Sequence, residues 1–225
     1  MENDKVQEMN EKNNEKDQKS GVNEAAGFHI EGHIKIFNPE TQEVYVDKRN
    51  AIHYENMSIS LAAALANQGF GIIEGMSFGN GGSTVDPNGI ITYLTPNNIG
   101  SNSGLYNQTY YKVIDPKNVL NIDPTRNFTE IRHVRGTVYT DIFCSVLLDY
   151  GEPAGQAAYD NAQNLNSDFV FDEIGLRASS QDGNEGAGRL LTHVIFHPVQ
   201  KSLNRLIQID YTVRIQTLTT FSETR

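Results

Sequence analysis

The alternation in LIQIDYTVRIQTL (206–218) constrains this chain more than any other stretch. Ile207, Ile209, Tyr211, Val213 and Ile215 share one side, and Gln208, Asp210, Thr212, Arg214 and Gln216 share the other. Side chains change faces at every residue of a strand, so the period predicts a strand with one buried face rather than a helix. Two more strands are predicted just before it, in FVFDEIGLRAS (169–179) and RLLTHVIFHPV (189–199), with a Gly-rich loop between them. Together they form a ladder of hairpins, which is scaffolding and holds little that could do chemistry.

The rest of the chain adds strands of the same kind. In FHIEGHIKIF (28–37), Phe28, Ile30, Ile34 and Ile36 share one parity with Gly32. NPET (38–41) is a turn signal and QEVYVDK (42–48) a second strand, which predicts a hairpin. The period then changes. Tyr54, Met57, Leu61 and Leu65 recur at helical spacing in an Ala-rich segment that stops at Asn67-Gln68-Gly69. GIIEGMSFGNGG (71–82) is a strand running into a glycine loop, DPNG (86–89) is a turn, and IITYL (90–94) is another short strand. The Asn- and Ser-rich run from Thr95 to Gln108 is a loop, and FTEIRHVRGTVYTDIFCSVLLD (128–149) holds two strands or one strand bent at Gly136. Seven to nine strands and one helix are expected. The fold class is mainly β, an antiparallel sheet or sandwich with one short helix and an extended N-terminal arm.

The arm comprises residues 1–27, and a single domain of residues 28–225 follows, with loop insertions near 95–127 and 150–168. The arm is rich in Glu, Asp, Lys, Asn and Gln, and Val6, Met9 and Val22 are too few apolar residues to offset the entropy of ordering it. It is expected to order only on assembly, against a neighbouring subunit. The 225 residues carry a formal net charge of −10, which argues against a nucleic-acid partner, since phosphate binding needs clusters of Lys and Arg. No apolar run reaches the roughly 20 residues that span a bilayer, and the N-terminus lacks the apolar centre of a signal peptide. No membrane partner and no export are therefore expected.

Candidate chemistry is sparse. The one cysteine, Cys144, can form neither an intrachain disulfide nor a Cys-rich zinc site, and is expected as a buried apolar residue on a strand. His29 and His33 are four apart, as are His193 and His197. On a strand that spacing is about 13 Å, so neither pair chelates one ion alone. Both pairs are expected to line solvent or a subunit interface. FGNGGSTVD (78–86) is like a phosphate loop only superficially, for it lacks the GK[ST] ending and a following helix. Asn80, Asp86 and Asn88 offer oxygens suited to calcium, but the EF-hand spacing and its bidentate Glu are absent, and turn chemistry is the favoured explanation. Asp172 and Glu173, adjacent on a strand, should point to opposite faces and so could not flank one sugar. No catalytic residue, cofactor or metal is assigned, and the chain is expected not to be an enzyme. Tyr106, Tyr110 and Tyr111 in YNQTYY suggest an interface, with a glycan-binding surface as the competing reading.

Three motifs, taken in order, resemble the N-terminal attachment domain of phage tail-collar fibre proteins and related virion structural proteins. Met76, Phe78 and Gly79 carry the first, in MSFGNGG, after the small-residue helix ISLAAALAN. Glu173, Ile174, Gly175 and Leu176 carry the second. Gly188, Arg189, Leu190, Phe196, Pro198 and Lys201, with the strand from Leu206, carry the third. The resemblance covers roughly residues 57–217 and implies that these are sheet, turn and packing residues, none of them catalytic. Such fibres continue into a shaft and a receptor-binding tip, whereas this sequence stops at Arg225 and has about 50 residues before the helix. The expected role is thus an adaptor or collar-type part of a tail, baseplate or neck. It would be assembled in the host cytoplasm from copies of itself, as a trimer or hexamer, and from other virion proteins. A capsid decoration protein and a host-glycan-binding module are the alternatives.

Overall fold

A computed structural model describes residues 24–100, 103–153, 170–202 and 204–221. The predicted arm up to residue 23 and the insertion from 154 to 169 lie outside the described residues. In chain order the elements are β1 (Glu24–Phe37), β2 (Val44–Arg49), β3 (Ala51–Ile52), α1 (Tyr54–Leu65), β4 (Ile73–Gly79), β5 (Ser83–Val85) and β6 (Ile91–Tyr93). β7 (Gln108–Val113), β8 (Phe128–His133), β9 (Tyr139–Leu148), β10 (Val170–Ala178), β11 (Thr192–Gln200) and β12 (Ile207–Phe221) follow. The protein is mainly β, and all of its strand pairs are antiparallel among the described residues. The strands outnumber the seven to nine expected because β3 and β5 are too short to show a period, whereas β6 is the short strand read in IITYL. β7 falls inside the 95–127 stretch read as a loop insertion. β1 begins four residues inside the segment assigned to the arm.

Two five-stranded sheets form a sandwich. The first runs β2-β1-β12-β9-β8 and the second β3-β11-β10-β4-β7, with β5 and β6 as a separate hairpin. The alternation of β12 holds: Ile207, Ile209, Tyr211 and Val213 are buried against the opposite sheet. Ile34 and Ile36 of β1 and Cys144, Val146 and Leu148 of β9 complete that layer, facing Met76, Phe78, Ile174, Leu176 and Phe196. Burying such side chains fully contributes about 1.5–3 kcal/mol each, so the matched parity of these strands is what fixes their register. Cys144 is sealed in this core, and burial pushes its thiol up to about 12.

Gly136 is at φ 87° in the turn between β8 and β9, which settles that segment as two strands. The helix is found where predicted but not on the predicted face. Met57 is buried together with Asn56, Ser60 and Ala63, while Tyr54 is 67% and Leu65 89% exposed. Polar anchoring sets its rotation. His53 caps the first turn by accepting the Asn56 N–H, and the Asn56 side chain donates to the Leu190 carbonyl at 2.9 Å.

Candidate functional site

Apart from the strand from Leu206, which is β12 in the first sheet, the three sequence motifs meet on the second sheet, where β4, β10 and β11 are neighbours. At their centre β10 breaks its alternation. Phe171 and Ile174 both point into the core, so Asp172 and Glu173 both face outward. The ladder with β11 shifts register at the same place, between Phe171 and Glu173. The extra residues fall on β11 around His197 and Pro198, and a bulge is a position where a proline lacking an N–H fits. The two carboxylates therefore do not point to opposite faces, contrary to the regular alternation expected from sequence.

Both carboxylates are filled by loops. Glu173 Oε1 accepts the backbone N–H of Gly81 at 3.1 Å and of Asn107 at 2.8 Å. Its Oε2 accepts the Tyr106 N–H at 2.9 Å and His193 Nε2 at 2.9 Å. Asp172 accepts the N–H of Gly82 at 2.9 Å, the N–H of Ser83 at 2.7 Å and the Ser83 hydroxyl at 2.6 Å. The glycine run is thus an anion-binding loop after all, and its anions are the protein's own carboxylates. Successive backbone N–H groups make a cradle for negative charge, and here two side chains occupy it. Asp86 closes its own turn by accepting the N–H groups of Asn88 and Ile90, and Asn80 accepts the Asn107 amide. Among the described residues no three His, Cys, Asp or Glu side chains are placed to hold a metal ion.

His193 also departs from expectation. It does not line solvent: its side chain and that of Glu173 are both 0% exposed. Its Nδ1 accepts the Asn97 N–H at 2.8 Å, so the ring proton is on Nε2, facing Glu173. Burial works to raise the Glu173 pKa, but the bonds from His193, Asn107 and Tyr106 outweigh it and hold the carboxyl below its ordinary value. Asp172 ends on the other side, because burial outweighs its bonds from Ser83 and Gly82. A buried carboxylate–imidazole pair has the form of an acid–base dyad, but both ring nitrogens and both Glu173 oxygens are already bonded. What the arrangement does is hold three loops, through residues 81–83, 97 and 106–107, against β10 and β11.

The other motif residues are packing positions. Met76, Phe78, Leu176 and Leu190 are fully buried, and Ile174 and Phe196 nearly so. A β-carbon on Gly79 would meet the Asn107 carbonyl and Glu173, one on Gly175 the Thr192 carbonyl and Leu190, and one on Gly188 the Ala178 carbonyl. Arg189 accepts the Ala178 N–H through its carbonyl, and the fully buried Lys201 donates to the Ser202 carbonyl. Of the tyrosines, Tyr106 is 44% exposed and donates its hydroxyl to the Thr95 carbonyl. Tyr110 packs on Phe78 with ring centroids 5.7 Å apart, and Tyr111 lies over Gly75 and donates to Glu74 at 3.3 Å. Burial raises both of these phenols.

Sequence reasoning did not find Arg177. Its guanidinium, half-buried on the outer face, donates to Ser77, Gln108 and the Gly188 carbonyl and so ties β4, β7 and the glycine loop to β10. The signal was available: a lone Arg in a strand otherwise buried on both faces needs several acceptors. Beside the clamp, an open cleft of about 500 Å³ lies between β2, β11 and the β5–β6 hairpin. Tyr45, Lys48, Tyr93 and His197 line it.

Comparison with known proteins returned no matching family model, no matching curated protein and no matching solved structure.

Proposed function

We propose that the chain is a non-catalytic structural protein of a phage virion, an adaptor or collar-type component of the tail, baseplate or neck that works by subunit contacts. One observation carries the reading. The residues through which it resembles attachment domains, apart from the strand from Leu206, lie on β4, β10, β11 and the turns beside them, and serve for packing, close approach or holding a loop. Saturated carboxylates and close-approach glycines make a rigid mount for loops. They leave no open valence for a substrate. In this reading the loops meet neighbouring virion proteins, and the arm reaches another subunit.

The test is mass spectrometry and antibody labelling of purified particles. The protein is expected in stoichiometric amounts at the tail, baseplate or neck. Its absence from particles, or hydrolysis of host polysaccharide by the isolated chain, would end the proposal. Labelling over the capsid surface would favour a decoration protein instead. The glycan-binding alternative draws support from the cleft rather than from Tyr110 and Tyr111, since Tyr45 and Tyr93 stand there beside Lys48 and His197. Glycan-array binding abolished by Tyr93→Ala would favour it.

A further inference from the structure

The first sheet has an edge that only part of β2 covers. β2 pairs with β1 from His33 to Phe37, and the Asn50 N–H bonds the Gly32 carbonyl. β1 nevertheless continues back to Glu24, paired on its other side with β12 out to Phe221. Among the described residues, no strand lies along the β2 side of residues 24–31. Since the Gly32 carbonyl points to that side, and a residue's N–H and C=O leave an antiparallel strand together, the backbones of Phe28 and Ile30 point there too. Folded proteins blunt such edges with Lys, Pro or a bulge, and residues 24–32 have none of these. Phe28 is 71% exposed at the middle of the stretch.

We propose that this edge pairs with the same edge of a second copy, antiparallel about a two-fold axis at Phe28, joining two first sheets into one continuous sheet. The edge complements itself. With Phe28 opposite its own counterpart, His29 pairs with Gly27, Ile30 with position 26 and Glu31 with position 25 of the second copy. No like charges stand directly opposite, which is the condition cross-strand pairs need. Asn50 already bonds the Gly32 carbonyl on this side, so the partner strand ends its pairing at position 25, opposite Glu31. Phe28 and Ile30 of both copies meet on the inner face. Such a contact is isologous and fits a dimer, or a hexamer of two trimers, but not a simple trimer.

The inference rests on the assembly reading above for the expectation that copies meet. Its test is in solution, where failure is distinct from absence from particles. Light scattering and sedimentation of the full chain should show a dimer or an even-numbered oligomer at micromolar concentration. Phe28→Pro removes an N–H that points away from β12, a proline position that edge strands tolerate. It should weaken association at least tenfold while the circular dichroism and the melting temperature stay those of the wild type. Phe28→Cys should form an intermolecular disulfide under mild oxidation, since hydrogen-bonded pairs place Cα atoms about 5.5 Å apart. A chain that is monomeric at 100 µM overturns the proposal. So does an oligomer, a trimer included, that Phe28→Pro leaves intact and Phe28→Cys does not cross-link.

Discussion

The two sheets share a core but treat their outer faces in opposite ways. Across the first sheet, Arg132, Asp141, Arg214 and Glu31 stand in one row on four neighbouring strands, alternating in sign at the surface. Arg214 grips Asp141 with two bonds of 2.7 and 2.9 Å, and solvent reaches both. On the second sheet the charges are roofed by loops, and Glu173 has lost contact with water. The same chemistry, a carboxylate and its donors, is decoration on one face and structure on the other. What separates them is burial. A buried carboxylate stripped of its donors is destabilising by several kcal/mol, whereas an exposed pair contributes about 0–1 kcal/mol.

Variants can break that contrast, beginning with the clamp. Glu173→Ala leaves the Gly81, Tyr106 and Asn107 N–H groups and His193 without their acceptor, and should lower stability by about 3–5 kcal/mol in urea unfolding. A loss below about 1 kcal/mol would mean that the loops do not depend on it. Gly188→Ala forces a methyl group against the Ala178 carbonyl, and a fall of about 1–3 kcal/mol is expected in the same measurement.

Acidity sharpens the comparison within the second sheet itself. Glu173 has a folded pKa below its unfolded one, so its contribution is complete above the unfolded value of about 4.3 and is lost as pH falls through the folded value. The gap in stability between wild type and Glu173→Gln should therefore narrow as pH falls from 6 to 3. Asp172 is shifted upward, so proton uptake favours the folded state as pH falls through its raised value. Relative to Asp172→Asn, the wild type should gain in the acid range. Parallel slopes for the two variants in denaturation at several pH values would contradict the opposite shifts. The smallest effect is expected on the first sheet. Arg214→Ala should remove no more than about 1 kcal/mol, and less at high salt; a loss as large as that of Glu173→Ala would erase the distinction.

The first sheet was the legible one. Its strands alternate because one face is solvated, and β12 could be placed residue by residue. The second sheet hid its organisation for the same physical reason, since β10 is buried along nearly all of its length. With both faces covered, polarity no longer marks direction, and regular alternation misplaced Asp172. His193 was misplaced as well, because its partner Glu173 lies 20 residues away and pairing of that kind leaves no local pattern. The helix showed its period but not its buried face, since the polar Asn56 and Ser60 are buried beside Met57 while Tyr54 and Leu65 of the expected stripe are exposed. Pro198 was the one local hint of the bulge.

Cys144 gives the molecule a built-in reporter. It is the chain's single thiol, wholly enclosed between the two sheets and scarcely ionised at neutral pH. Alkylating reagents should ignore the native protein and mark only those molecules whose sandwich has come apart. The rate of modification then counts opening events directly, without a fluorescent tag or a tryptophan, which this chain lacks.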